Sequence, residues 1–360
     1  VFLFVSLVSF VVGFPLSGCS LRLGGEPALS RGDPISAAWP KAPRAIRTRA
    51  ASEVGSMGER LVESVPNVSE GRDPAAIEAL AAALGSVPAV RLLDVQSDRD
   101  HHRTVFTLVG DPDGVAEAIL RLFEAAVPRI DLRLHRGEHP RMGAVDVVPF
   151  VPVRGVTMAD CAALARAVGQ AVWDRFRVPV YLYEEAASRP ERRDLAAIRK
   201  GEFEGFADKI QRDDWAPDFG ERTVHHTAGV TAIGAREFLL AFNVNLGTSD
   251  LTIAKAIAQA VRGSSGGLRF VKALGLTLED RGIVQVSMNL TNYKKTPLAR
   301  ALDLVRSEAA RYGVPVVGTE IVGLVPEDAL LQAAAHYLGL ERFSPDLVLE
   351  RRMDSAFKDG

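Results

Sequence analysis

Residues 144–183 read AVDVVPFVPVRGVTMADCAALARAVGQAVWDRFRVPVYLY. Ala144–Val153 is a near-continuous apolar run, interrupted by Asp146 and two prolines, which predicts a buried strand with an irregular end. Thr157 stands where it can cap a helix, with Asp160 at the third helical position, a variant of the capping box. That helix should run to about Phe176, and Val178–Tyr183 (VPVYLY) reads as the next strand. Strand, helix and strand in one short stretch make a βαβ unit.

The same alternation extends both ways. Upstream, Val62–Val65 is a short strand, Asp73 an N-cap with Pro74 at the first helical position, and Ala75–Leu84 an Ala-rich helix ending at Gly85. Val90–Val95 and Thr104–Val109 are strands around a polar loop, Gln96–Arg103, and about Gly114–Val127 is an amphipathic helix. Downstream, residues 184–225 are mostly polar, with a charged helix near Asp194–Lys200. Strands follow at Phe238–Leu246, Val284–Leu290 and Val314–Val317, with helices at Asp250–Arg262, Pro297–Tyr312 and from about Pro326. Strands alternating with helices predict an α/β (α+β) fold of ferredoxin-like βαβ or split-βαβ units, each subdomain a mixed sheet with helices on its outer face. One echo is visible: a helix followed by Val178-Pro179-Val180 recurs as a helix followed by Val314-Pro315-Val316.

At 360 residues the chain is long enough for two domains or two tightly joined halves. Its 47% hydrophobic content excludes wholesale disorder. With 43 Lys and Arg against 45 Asp and Glu, it lacks the basic footprint of a nucleic-acid binder. Two cysteines, Cys19 and Cys161, are too few for a disulfide scaffold or a cysteine zinc site. Cys161 falls inside the amphipathic helix after Thr157 and reads as core.

The first 18 residues, VFLFVSLVSFVVGFPLSG, are apolar and uncharged. With Leu16-Ser17-Gly18-Cys19 they read as an export or lipoprotein signal, or as translated sequence upstream of a true start at Met57. Residues 20–56 read as linker. The expected organisation is an N-terminal segment over 1–58, a first subdomain over 59–237, a second over 238–345 and a tail over 346–360.

Six of the seven histidines lie in polar loops; His336 sits in the C-terminal helix and reads as structural. His135 and His139 have the four-residue spacing of a helical metal pair, but Gly137 and Pro140 oppose a helix there. His139 lies before a proline in Gly137-Glu138-His139-Pro140-Arg141-Met142-Gly143. It reads either as a general base, its pKa set by Glu138 and Arg141, or as a loop histidine without catalytic role. His101-His102 reads as a solvated turn or as the lining of an anionic-substrate cleft. His225-His226 lies between Gly220 and Gly229, in a loop whose glycines either admit a ligand close to the backbone or serve a mobile surface. Walker A, GxSxG and post-strand GxGxxG motifs are absent.

Six segments in order resemble the glutamate formimidoyltransferase family. They are Val65–Arg72 (VPNVSEGR), His135–Gly155 (HRGEHPRMGAVDVVPFVPVRG), Val178–Glu185 (VPVYLYEE), Trp215–Gly220 (WAPDFG), Phe238–Leu246 (FLLAFNVNL) and Val316–Pro326 (VVGTEIVGLVP). The resemblance spans about residues 61–340. It implies two α/β subdomains whose sheets face a substrate groove, in a homodimer. It also implies transfer of a formimidoyl group from N-formimidoyl-L-glutamate to N5 of tetrahydrofolate, a co-substrate, in histidine breakdown, with no metal. By resemblance His139 is the catalytic base, and Gly220, Glu221, Arg222, Thr223, Val224, His225, His226, Thr227, Ala228 and Gly229 contact folate. Asn67, Arg103, Glu138 and Arg141 are possible substrate contacts. Arg103, Arg141 and Arg222 could each pair a substrate carboxylate through a guanidinium fork.

The chain departs from the vertebrate pattern in Gln96–Arg103 and within 221–228, which leaves formyl transfer open. A 5-formyltetrahydrofolate cycloligase-type enzyme and a non-catalytic folate-binding protein are the other readings. Dependence on reduced folate places the protein in the cytoplasm, unless residues 1–19 are a genuine signal. The proton traffic calls for one imidazole of near-neutral pKa.

Overall fold

Proline breaks the first strand, and the break begins the site. The computed structural model describes residues 60–358, apart from 100 and 138 and the side chains of 280 and 358. The expected leader, linker and Met57 start, and Glu138, lie outside the described residues. β1 (Leu61–Ser64) and β2 (Asn67–Val68) are two halves of one strand, parted at Val65-Pro66, where proline has no N–H for a ladder. Then come α1 (Pro74–Gly85), β3 (Val90–Asp98), β4 (Arg103–Gly110), α2 (Pro112–Ala126) and β5 (Val145–Arg154). The four strands pair antiparallel in the order β3, β4, β1/β2, β5. α3 (Met158–Phe176), β6 (Val180–Glu184), α4 (Leu195–Arg199), α5 (Glu202–Lys209) and β7 (Thr231–Ala235) follow. β7 pairs parallel to β5, and β6 parallel to β7, completing a seven-stranded mixed sheet.

The second sheet comes from β8 (Leu240–Leu246), α6 (Leu251–Val261), β9 (Val271–Leu278), β10 (Ile283–Leu290), α7 (Leu298–Arg311) and β11 (Val316–Val322), in the order β11, β8, β10, β9. It is antiparallel throughout, not mixed as expected. The split βαβ connection explains the difference: β10 sits between β8 and β9, and β8 between β10 and β11, so no two parallel strands are neighbours. Both halves therefore contain one βαββαβ module with the same strand order. The echo at Val178 and Val314 marks non-equivalent strands: the first enters β6, an addition to the sheet, and the second enters β11, the last strand of its module.

Helices α1, α2 and α3 cover one face of the first sheet, around Phe106, Leu108, Ile119, Leu122, Phe123 and Phe150. Cys161 lies in this core, where burial pushes its thiol up to about 11. The other face is covered too at its parallel end, where α4 and α5 pack Ile198 and Phe206 on Tyr181, Tyr183 and Val230. In the second sheet, Phe242, Val244, Val284 and Val286 pack on Ile257, Leu302 and Val305. α8 (Glu327–Leu338) is tied to α7 by His336 Nε2, 2.9 Å from Asp303 Oδ2, and by the Tyr337 hydroxyl, which donates to Asp303 Oδ1 at 3.0 Å. α9 (Leu349–Lys358) forms where a tail was expected. Among the described residues no helix is long and apolar enough to cross a membrane.

Helix starts follow their caps. Asp73 accepts from the Ala75 and Ala76 amides, and Asp111, with Pro112 after it, accepts from the Gly114 amide in the same way. At α3 the capping box is complete: the Asp160 amide donates to Thr157 Oγ1 at 3.2 Å and the Thr157 amide to Asp160 Oδ2 at 2.9 Å. Replacing Thr157 by Ala should lower unfolding free energy by about 1 kcal/mol, read as a lower urea midpoint at unchanged denaturant slope.

Candidate functional site

A β-bulge places the central charge. Asn67 pairs with Val147 and Val68 with Val145, so Asp146 is the extra residue on β5. Val145 packs into the core under the helices and Val147 into the core under α4 and α5. The bulge turns the Asp146 carboxylate toward β4 and α4, fully buried. Oδ1 accepts from the Met142 amide at 2.8 Å, and Oδ2 lies 3.3 Å from Arg103 Nη1 and 2.6 Å from Arg199 Nη2. These guanidiniums and the Met142 amide hold the carboxyl below the usual range, against burial, which would raise it.

Arg103 reaches this point from the start of β4. Its Nε donates to Asn67 Oδ1 at 2.8 Å, and Asn67 Nδ2 in turn donates to the Val65 carbonyl at 2.8 Å. Burial and the nearby Arg199 bring the Arg103 guanidinium down to about 9, still charged at neutral pH. Its Nη1 lies 2.7 Å from His139 Nδ1. The Pro140 carbonyl is also 2.7 Å from that nitrogen. Arg103 Nη1 can only donate and the Pro140 carbonyl can only accept, so Nδ1 faces one of each. The tautomer in which Nδ1–H goes to Pro140 leaves the lone pair on Nε2, which meets no protein partner among the described residues.

The imidazole is not near-neutral in pKa. Burial first, then Arg103 and Arg199, lower it to about 3, against the pull of Asp146 and the Pro140 carbonyl. Arg141 does not tune it as expected. Arg141 is buried facing another way: its Nε donates to His135 Nδ1 at 3.2 Å, and its Nη atoms pair with Glu202 and Glu204 of α5. His135 Nε2 lies 2.8 Å from the His102 carbonyl, and its ring stacks on His102 with centroids 4.0 Å apart. His102 Nε2 meets Glu70 at 3.1 Å, so the loops 67–72, 101–103 and 135–141 form one hydrogen-bonded group. His101 is closer to the base, its ring centroid 6.2 Å from that of His139.

The 220–229 stretch is fixed from both ends. In the WAPDFG segment, Asp218 pairs with buried Arg192 at 2.9 Å and accepts from the Leu182 amide at 2.8 Å. At the other end the Ala144 amide donates to the Ala228 carbonyl and the Val230 amide to the Met142 carbonyl, both at 2.9 Å. Gly143 and Gly229 meet as a backbone bridge. Gly229 has φ +69°, and a Cβ on it would collide with the Met142 carbonyl. The glycine therefore admits protein backbone, not a ligand. This seam brings the end of the 220–229 loop against the residues that follow His139. Within the loop, Glu221, Arg222, Thr223 and His226 are exposed, and Val224, His225 and Thr227 half-buried. Arg222 pairs with Asp213 at 2.6 Å and donates to the Gln211 carbonyl at 3.0 Å. His225 Nδ1 accepts from the Ala228 amide at 3.0 Å.

The structure thus brings together Asn67, Arg103 and His139, and it places Arg141 and Arg222 in ion pairs of their own. The sequence reading missed Asp146 as a site residue and missed Arg199. An acid inside an apolar run was the available signal for the first; the second carried none.

Two family models match in succession: "Formiminotransferase domain, N-terminal subdomain" over residues 61–236 and "Formiminotransferase domain" over 241–353. A glutamate formimidoyltransferase of Streptococcus pyogenes is 49% identical over 79% of this chain and 95% of its own length. One from Thermoplasma acidophilum is 51% identical over 82% of the chain and 98% of its own length. The formimidoyltransferase-cyclodeaminase of Rattus norvegicus is 45% identical over 79% of the chain, which matches about half of that longer protein (53%).

Replacing Asp146 by Ala should cost about 3–5 kcal/mol in denaturant unfolding, because two buried guanidiniums lose their common partner. The histidine adds a pH dependence. The unfolded imidazole takes a proton below about 6.5, whereas the folded one resists until about 3. Stability should therefore fall as pH falls through that window, and His139→Asn should flatten the curve of unfolding midpoint against pH there.

Proposed function

The chain belongs to the formiminotransferase family of folate-dependent transferases, and we propose that it moves the formimidoyl group of N-formimidoyl-L-glutamate to N5 of tetrahydrofolate, with His139 as base and then acid. The observation that carries this reading is His139 Nε2, without a partner among the described residues, on a ring whose other nitrogen lies 2.7 Å from both the Pro140 carbonyl and Arg103 Nη1. The N5 lone pair attacks the amidine carbon and a tetrahedral centre forms. Nε2 takes the proton that N5 sheds. The bond from carbon to the glutamate nitrogen then breaks, and the imidazolium returns the proton to that nitrogen. The products are 5-formimidoyltetrahydrofolate and L-glutamate, as histidine degradation requires.

Nδ1–H bonded to the Pro140 carbonyl stabilises the imidazolium, as a carboxylate partner does more strongly in other sites. Arg103 and Arg199 oppose it, so the base is held neutral until substrate arrives. The 220–229 stretch is the proposed folate contact, joined at the Gly143–Gly229 seam to the histidine loop. In this reading the second sheet supplies the opposite wall of the groove. Its face away from α6 and α7 carries Asn243, Asn245, Gln285 and Ser287 in register, with Gln285 donating to Asn245 at 2.9 Å. The enzyme works in the cytoplasm with reduced folate, as a homodimer and without metal.

His139→Ala should lower turnover by about 10²–10⁴-fold while circular dichroism stays that of the parent. A folded variant of near-parental rate overturns the role. The same assay run with formimidoyl- and formylglutamate, with and without ATP, separates formimidoyl transfer from formyl transfer and from a cycloligase. Folate binding without any turnover would mark a binding protein.

A further inference from the structure

α4 is a short helix anchored at both ends. Asp194 caps it through the Ala196 amide and is paired with Lys272 of β9 at 2.7 Å. At its other end Lys209 Nζ donates to the carbonyls of Ala197, Ile198 and Lys200 at 2.8, 2.6 and 3.0 Å. Ile198 is fully buried between them. The residue these anchors hold in place is Arg199.

Its guanidinium is poorly used by the protein. Nη2 lies 2.6 Å from Asp146 Oδ2 but out of hydrogen-bonding alignment, and Nε, sealed from solvent, has no acceptor. Nη1 meets no protein acceptor among the described residues. Leaving buried donors unpaired is costly, about 1–3 kcal/mol each. The charges do not balance either: among the described residues, Arg103 and Arg199 face one carboxylate, Asp146, beside a neutral imidazole. That described cluster is one negative charge short.

We propose that Arg199 binds the α-carboxylate of the formimidoyl donor, holding it beside His139, and so selects an α-amino acid as the leaving group. This rests on the transfer reading above. A carboxylate is the anion a guanidinium fork fits best. Both substrates offer one, but the two lie at different distances from the chemistry. The donor's α-carboxylate is separated from the leaving nitrogen by a single carbon. The glutamyl carboxylates of folate lie beyond the pteridine and the aminobenzoyl ring, far from N5. Arg199 shares Asp146 with Arg103, which touches His139, so its partner is the carboxylate next to the leaving nitrogen. The bound anion also offsets the positive field that depresses the imidazole, which makes His139 a stronger base when the donor is present.

The test is steady-state kinetics of the full chain carrying Arg199→Gln or Arg199→Lys, with each substrate varied in turn. A second donor, N-formimidoyl-4-aminobutyrate, lacks only the α-carboxylate. Arg199→Gln should raise the donor KM by about 10–100-fold, as loss of a charged hydrogen bond does, and leave the folate KM within about twofold. Arg199→Lys should recover part of the loss. The parent should use the truncated donor as poorly as the Gln variant uses the natural one, and the variant should lose little further with it. In the parent, the acid limb of kcat should lie at higher pH than that of kcat/KM. A rise in folate KM alone assigns Arg199 to the folate tail and overturns the proposal. So do equal losses for both substrates, or additive losses with the truncated donor. If the parent transfers nothing, the transfer reading fails by itself. L-glutamate titrated into parent and Gln variant in a calorimeter then decides for Arg199: binding by the parent alone supports it, and equal binding overturns it.

Discussion

A single buried carboxylate holds the centre of this molecule. Asp146 joins β4, β5 and α4, which are far apart in sequence, through Arg103, the Met142 amide and Arg199. Charges removed from water must be matched closely, because the penalty for an unmatched one is several kcal/mol. That requirement fixes where the three segments sit, and with them the proline-held loop of His139. The same charges set the imidazole's proton affinity. Position and reactivity thus have one electrostatic origin.

The twin modules show how little separates scaffold from site. In each, the last strand bulges against the first at its second residue. The bulge is Asp146 in β5 and Val317 in β11. The first is fully buried among arginines, while the second is half exposed to solvent. Only the first module has parallel strands added at its edge, and those strands bring α4 and α5 over its inner face. Topology offered the same irregularity twice; the covering helices made one of the two a buried site.

Much of the fold was legible because its signals are local. Proline after aspartate marks α1, Thr157 with Asp160 marks α3, and long apolar runs mark β5 and β8. β7 escaped because Thr231–Ala235 is short and made of small residues, and its strand character comes from two parallel neighbours. β9 escaped because Lys272 and Gly275 interrupt its apolar pattern. The histidine loop was legible from Pro140, which bars a helix. Its electrostatics were not, because charges near in sequence were taken for charges near in space. Arg141 is two residues from His139 yet serves Glu204, while Arg199 is sixty residues away and acts on the ring.

The backbone seam at Gly143 and Gly229 carries a lesson about evolvability. Two segments of the chain meet there without a side chain between them, and no residue larger than glycine fits at Gly229. Drift at the seam is closed off. The tip of the 220–229 loop is instead largely exposed, at Glu221, Arg222, Thr223 and His226, so a change of charge or shape there need not move the join. A lineage could thus change what it accepts while the relation between its two loops stays constant.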